Sequence, residues 1–188
     1  MPDSVHLWQW SARDIASATR QGEISAIEVT EAALGRMEAV NPDLNAVVEP
    51  LAEAARAQAR ALDLQDGPKG PLHGVPVTIK INVDQEGCAT SNGVEAFKDV
   101  IAPADAPLVR HLKAAGAVVI GRTNTPEFSF RADTDNPLFG RTYNPWGRHI
   151  SAGGSSGGAG AAVMAGIGAL AHGIEIGGSL RFAASADG

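Results

Sequence analysis

Three side chains in this sequence could carry out proton transfer or nucleophilic attack, namely Lys80, Ser155 and Ser179. Lys80 lies between Ile79 and Ile81, at the end of a stretch in which Val75, Val77 and Ile79 alternate with Pro76 and Thr78. If that stretch is buried, apolar surroundings disfavour the ammonium and lower its pKa, and a neutral lysine is a base. If it is exposed, Lys80 is an ordinary strand-end lysine. Ser155 sits inside Gly153-Gly154-Ser155-Ser156-Gly157-Gly158, and Ser179 follows Gly177-Gly178. A serine hydroxyl becomes an effective nucleophile only when a neighbour takes its proton. Each serine taken alone also suits a turn or a helix N-cap.

Other site chemistries fit less well. Gly153 to Gly157 satisfies G-x-S-x-G, the nucleophile elbow of hydrolases that use a Ser-His-acid triad. That elbow needs a strand directly before Ser155, then an acid and a histidine. The preceding residues 146–152 read as loop, and only His172 follows. Gly166-x-Gly168-x-x-Ala171 resembles a dinucleotide fingerprint, with no strand leading into it. No phosphate-binding G-x-x-x-x-G-K-[ST] occurs. The five histidines, 6, 73, 111, 149 and 172, show no metal-ligand spacing, so no histidine-bound metal is expected.

Composition narrows the class further. The net charge is −6 with no basic run, which argues against nucleic acid or an anionic membrane surface as partner. One cysteine, Cys88, excludes an intrachain disulfide. The first residues lack a basic stretch followed by an apolar one, and no apolar run would span a bilayer. A cytoplasmic location is the expectation.

The elements that must hold the three residues can be read coarsely. Residues 1–66 form a mainly helical layer. Ser11 suits an N-cap. Ser25 with Glu28 is a capping-box pattern, opening a helix that Asn41-Pro42 should end. A short strand is expected over 45–48 and an alanine-rich helix over 50–62. Residues 70–188 read as an α/β part: a strand ending at Lys80, a helix over 104–115, a strand over 117–121, a helix of small residues over 157–168, a strand over 170–176 and a helix from 180. Thr125-Pro126-Glu127 could open a short helix. Phe128, Phe130, Phe139, Tyr143 and Trp146 cluster in one loop-rich region, and core packing is their preferred reading over a substrate wall.

Together these pieces resemble the amidase signature family. Its features are a GGSSGG cluster, a small-residue helix and a G-x-D-x-GGS-x-R-x-P-A run; here they are Gly153 to Gly158, the following segment, and Gly173 to Arg181. Its PLxGxPxxxK strand corresponds to Pro71 to Lys80. Residues 115–121, 123–128, Phe139-Gly140 and 144–146 are also similar to family segments. The resemblance runs from about Ser11 to Gly188.

The resemblance implies an α/β fold, a mixed sheet flanked by helices, in one domain over 1–188. It implies a Ser–cis-Ser–Lys triad: Ser179 as nucleophile, Ser155 as a bridging serine on a cis peptide after Gly154, and Lys80 as base. Amides of Ile176, Gly177, Gly178 and Ser179 would form an oxyanion hole, with Gly154, Ser156, Glu175 and Arg181 supporting. The implied reaction is hydrolysis of a small carboxamide through an acyl-enzyme, with no metal or organic cofactor. The implied alternatives are a glutamine-hydrolysing A-type subunit of a tRNA-dependent amidotransferase, or an inactive remnant. Glu175 stands where the family has Asp, Ile174 where Thr is common, Ala152 and Ala183 where Pro is usual, and Ile81 where Asp is common. Family members are much longer, so the chain reads as a truncated N-terminal portion of an amidase, with a homodimer as one assembly its exposed edges would permit.

Overall fold

Two strands built almost wholly from buried residues form the centre of the molecule. The structure is a computed structural model and describes residues 4–188. Strand β1 covers Val47–Pro50, β2 Pro76–Lys80, β3 Val118–Thr123 and β6 Leu170–Ala171. They form a sheet in the order β1-β3-β2-β6. β2 pairs in parallel with β3 and β6, and β1 is antiparallel to β3, so the sheet is mixed. Every residue of β2 and β3 is buried, as expected when both faces of a parallel pair are covered. β4 (Tyr143–Asn144) and β5 (Gly147–Ser151) make a separate antiparallel pair.

Helices cover both faces. Val118 and Ile120 of β3 pack with Leu34 and Met37 of α2 (Ala26–Leu44), with Ala55 of α3 (Ala52–Asp63) and with Ala161 and Ala162 of α5 (Gly157–Met164). Val119, one step out of phase, packs with Val77, with Ile15 of α1 (Ala12–Gln21) and with Val109 of α4 (Pro107–Ala114). This is the period-two alternation of a strand between two layers. α5 approaches closely because its residues are tiny. A Cβ at Gly158 would lie 2.6 Å from the Asn124 amide nitrogen and 2.9 Å from the Ala46 carbonyl.

Local signals worked where the determinants are local. Ser11 caps α1 by accepting from the Asp14 amide, and Ser25 and Glu28 form the reciprocal capping box of α2. Four expectations need correction. α2 does not stop at Asn41-Pro42; it continues to Leu44 and closes on Asn45 in the left-handed region. Asn41 makes this exit possible, because its side-chain oxygen accepts from the amides of Ala46 and Val47. The small-residue helix ends at Met164, not Gly168. Gly166, with φ of 78°, and Ile167 donate back to Val163 and Ala162 in a Schellman closure. The strand expected over 170–176 is only Leu170–Ala171. Beyond His172 the chain leaves the ladder, and the Ile174 amide donates to Ser156 Oγ instead. The aromatic cluster is not core: Phe128, Phe130 and Trp146 are exposed, at 52%, 88% and 64%. Phe128 and Ser129 take positive φ, 50° and 61°, in a turn at the surface, and Phe128 packs edge-on against Phe97.

Helix α6 (Ser179–Asp187) carries a buried carboxyl near its end. Neither oxygen of Asp187 has a hydrogen-bond partner, and burial raises its pKa to about 7. The folded state therefore holds this proton to higher pH than the unfolded chain, so its contribution to stability falls as pH rises from about 4 to 7. Asp187→Asn is expected to raise the thermal midpoint by roughly 5–10 °C at pH 8 and by less at pH 5. Circular dichroism melts at the two pH values check this; an equal shift at both would contradict it.

Candidate active site

The ends of three elements meet at one point: the last residue of β2, the loop before α5 and the first residue of α6. Lys80 is fully buried. Its Nζ donates to Ser155 Oγ at 2.8 Å and to Ser156 Oγ at 3.2 Å. Ser155 Oγ lies 2.8 Å and Ser156 Oγ 2.7 Å from Ser179 Oγ. The Ser155 amide also donates to Ser179 Oγ at 3.2 Å. The Gly154–Ser155 peptide bond is cis. Lys80, Ser155 and Ser179 thus form one continuous hydrogen-bonded line, and Ser156 makes a second, parallel connection.

Burial alone lowers the Lys80 pKa, from the ordinary lysine range to about 8. Its position follows from the strand that carries it: β2 is wholly buried between the two helical layers, so its last side chain ends inside the molecule. Arg122, also fully buried, secures the chain just beyond it. Arg122 donates to the carbonyls of Ile81, Val83 and Ala89 and pairs with Glu49 at 2.7 Å. No local pattern marks Arg122, which lies just past the strand expected over 117–121 and falls within β3 only in the structure.

Ser179 is presented by a tight turn. Gly178, with φ of 111°, precedes it at the start of α6. The Glu175 carboxylate accepts from the amides of Gly178 (2.5 Å), Leu180 (2.8 Å) and Arg181 (3.3 Å), and from the Arg181 guanidinium at 3.0 Å. These bonds, the Gly178 amide foremost, hold its pKa down to about 2. Glu175 therefore ties the turn to the helix start, the pairing with Arg181 included. It also occupies the Gly178 amide, which the sequence places among the oxyanion donors. The amides of Ile176, Gly177 and Ser179 have no acceptor among the described residues.

A cavity of about 330 Å³ opens beside the hydroxyls, lined by Phe128, Ser129, Phe130, Ser155, Ile176 and Ser179 among others. The exposed phenylalanines thus wall the space in front of Ser179. His172 is not a partner of either serine among the hydrogen bonds of the described residues. Its amide donates to Thr78, its Nδ1 is buried without a partner, and burial, with the nearby Lys80 charge, lowers its pKa to about 4. Ser155 has no strand leading directly into it, since β5 ends at Ser151. A Ser155–His172 elbow is therefore absent from the described residues.

Known proteins share this arrangement of sequence and fold. The family model described as Amidase matches residues 28–188. An indoleacetamide hydrolase of Bradyrhizobium diazoefficiens is 63% identical over 97% of this chain and 35% of its own length. The A-type subunit of a glutamyl-tRNA(Gln) amidotransferase from Streptomyces coelicolor is 42% identical over all of this chain and 38% of its own. The solved structure of a fatty acid amide hydrolase superposes with a TM-score of 0.95 at 30% identity, over all of this chain and 34% of that one. The chain spans a little over a third of the length of the curated relatives it matches. No helix among the described residues is long and apolar enough to cross a membrane. With the family match covering most of its length and its mixed sheet matching the solved amidase structures, the chain belongs to the amidase family.

Proposed function

We propose that this chain carries the catalytic centre of an amidase that hydrolyses a carboxamide through a Ser179 acyl-enzyme. The single observation that carries the reading is the unbroken line from Lys80 Nζ through Ser155 Oγ to Ser179 Oγ, at 2.8 Å per step. In its neutral form Lys80 accepts the Ser155 proton while Ser155 accepts that of Ser179. Ser179 Oγ bonds to the amide carbon, and the carbonyl electrons move to oxygen. The amides of Ile176, Gly177 and Ser179 are the free donors for that oxyanion. On collapse the C–N bond breaks, and the proton held on Lys80 returns through Ser155 to the leaving nitrogen, which departs as ammonia or an amine. Water then enters by the same proton path and frees the carboxylate, so atoms and charge balance without a cofactor.

The wall of Phe128, Phe130 and Ile176 favours an apolar acyl or amine group. An arylacetamide of the kind the Bradyrhizobium relative is named for suits it better than glutamine, the amide of the amidotransferase reading. A reducing, cytoplasmic setting accords with a single cysteine.

The test is to treat the chain with a fluorophosphonate and map the adduct by mass spectrometry, then to assay ammonia release from indole-3-acetamide and glutamine. One adduct on Ser179 is expected, with indole-3-acetamide preferred. An adduct on Ser155, or none, would overturn the Ser179 assignment; preference for glutamine would favour the amidotransferase reading.

A further inference from the structure

The two serines between Lys80 and Ser179 sit in a loop, and a loop holds hydroxyls to a few tenths of an ångström only if its backbone is anchored. The anchors lie on the segment that also walls the cavity. Thr134 is fully buried. Its Oγ1 donates to the Gly153 carbonyl at 2.9 Å and accepts from the Gly157 amide at 3.1 Å. Those two groups flank Gly154, Ser155 and Ser156, so one hydroxyl closes the loop at both ends. Thr125, also fully buried, donates from Oγ1 to the Ser155 carbonyl at 3.1 Å, in the middle of the loop. Thr125 lies 3.1 Å from Ser129 Oγ, which accepts from Asn82 at 3.2 Å. Gly154 rests on the same segment: a Cβ there would come within 2.6 Å of the Arg131 carbonyl oxygen and 2.7 Å of the Asp133 nitrogen. Phe128 and Phe130 lie between Thr125 and Thr134.

We propose that Thr134, assisted by Thr125, is a positioning residue that sets the register of the Ser155 and Ser156 hydroxyls between Lys80 and Ser179. This rests on the acyl-enzyme reading above. The threonine hydroxyl is suited to the task because it spends its one proton on a carbonyl and a lone pair on an amide, serving both loop ends. The Gly157 amide belongs to the first turn of α5, where N–H groups have no partner within the helix. Without the hydroxyl the loop ends are free to part, and a displacement of about 1 Å at a reacting group can lower a rate by about 10²-fold.

The test is fluorophosphonate labelling of the full chain, resolved into a binding constant and a maximal rate, for wild type, Thr134→Val and Thr134→Ser. Thr134→Val is expected to lower the maximal rate by about 10- to 100-fold and to leave the binding constant within about twofold, since the cavity wall is intact. Thr134→Ser keeps the hydroxyl and should stay within about threefold of wild type. Wild-type labelling by Thr134→Val, a change confined to the binding constant, or equal losses in the valine and serine variants would overturn the proposal. If Thr134→Val fails to fold by circular dichroism, the same comparison passes to Thr125→Val and Thr125→Ser, which leave both loop ends held, with the same deciding outcomes. Ser179→Ala runs alongside. Its loss of labelling together with an unaffected Thr134→Val sinks only the positioning role; continued labelling of Ser179→Ala sinks the acyl-enzyme reading beneath it.

Discussion

Ser179→Ala is expected to lower amide turnover by about 10⁴- to 10⁶-fold, the scale on which serine hydrolases lose activity when the attacking oxygen is removed. The loss should fall on turnover and not on binding, because the apolar wall of Phe128, Phe130 and Ile176 does not depend on the hydroxyl. Folding should change little: Ser155 and Ser156 lose a shared partner but keep Lys80. Ser155→Ala makes an informative comparison. It removes one of two connections between Lys80 and Ser179 and leaves that through Ser156, at 3.2 and 2.7 Å. Its residual activity should therefore exceed that of Ser179→Ala. Steady-state ammonia release from a primary amide measures both variants. Complete loss in Ser155→Ala with activity retained in Ser179→Ala would exchange the roles of the two serines.

Lys80→Met is expected to cost about 10²- to 10⁴-fold in the rate of Ser179 acylation, the usual contribution of a positioned general base. The diagnostic part is the pH profile. Below about pH 8 Lys80 is protonated in the folded chain and cannot accept a proton. Wild-type acylation should thus rise about tenfold per pH unit up to pH 8 and level above it. Lys80→Met should be slow and nearly flat across that range, and Lys80→Arg equally slow, because arginine keeps its proton. Stability carries the same signature. The folded pKa lies below that of an unfolded lysine, so between about pH 8 and 10.5 the unfolded chain binds more protons and stability rises with pH. That rise should vanish in Lys80→Met. A wild-type profile with no limb near pH 8 would count against Lys80 as the base.

The cavity wall is where sequence reasoning misjudges the molecule. Five aromatics in a glycine- and proline-punctuated stretch look like material for a core, because burial is the usual fate of large apolar side chains. Here Phe128 and Phe130 face a cavity, since the turn at Phe128 and Ser129 is tied by Asn82, a residue 47 positions from Ser129 that no local pattern connects to it. The amides free to serve an oxyanion differ by one from the expectation for a similar reason. Glycines at 177 and 178 mark a turn that frees amides, yet only the folded position of Glu175 decides that the Gly178 amide is taken.

The sequence by itself determined the local elements and the chemical inventory. The cap at Ser11, the box at Ser25 and Glu28, the strand ending at Lys80 and the two glycine-serine clusters each depend on residues a few positions apart, where propensity and hydrogen bonding act directly. Tertiary structure alone decided how those pieces meet. Thr134 bonds to a residue 23 positions away, Thr125 to one 30 away, Arg122 to one 73 away and Lys80 to one 75 away. A hydrogen bond depends on tenths of an ångström between groups brought together by the packing of β2, α5 and α6, and side-chain periodicity carries no information at that scale. Lys80, Ser155 and Ser179 could therefore be named as candidates from their residue types and from the family their motifs resemble, whereas their 2.8 Å spacing, and the threonines bonded to the loop between them, exist only in the assembled fold.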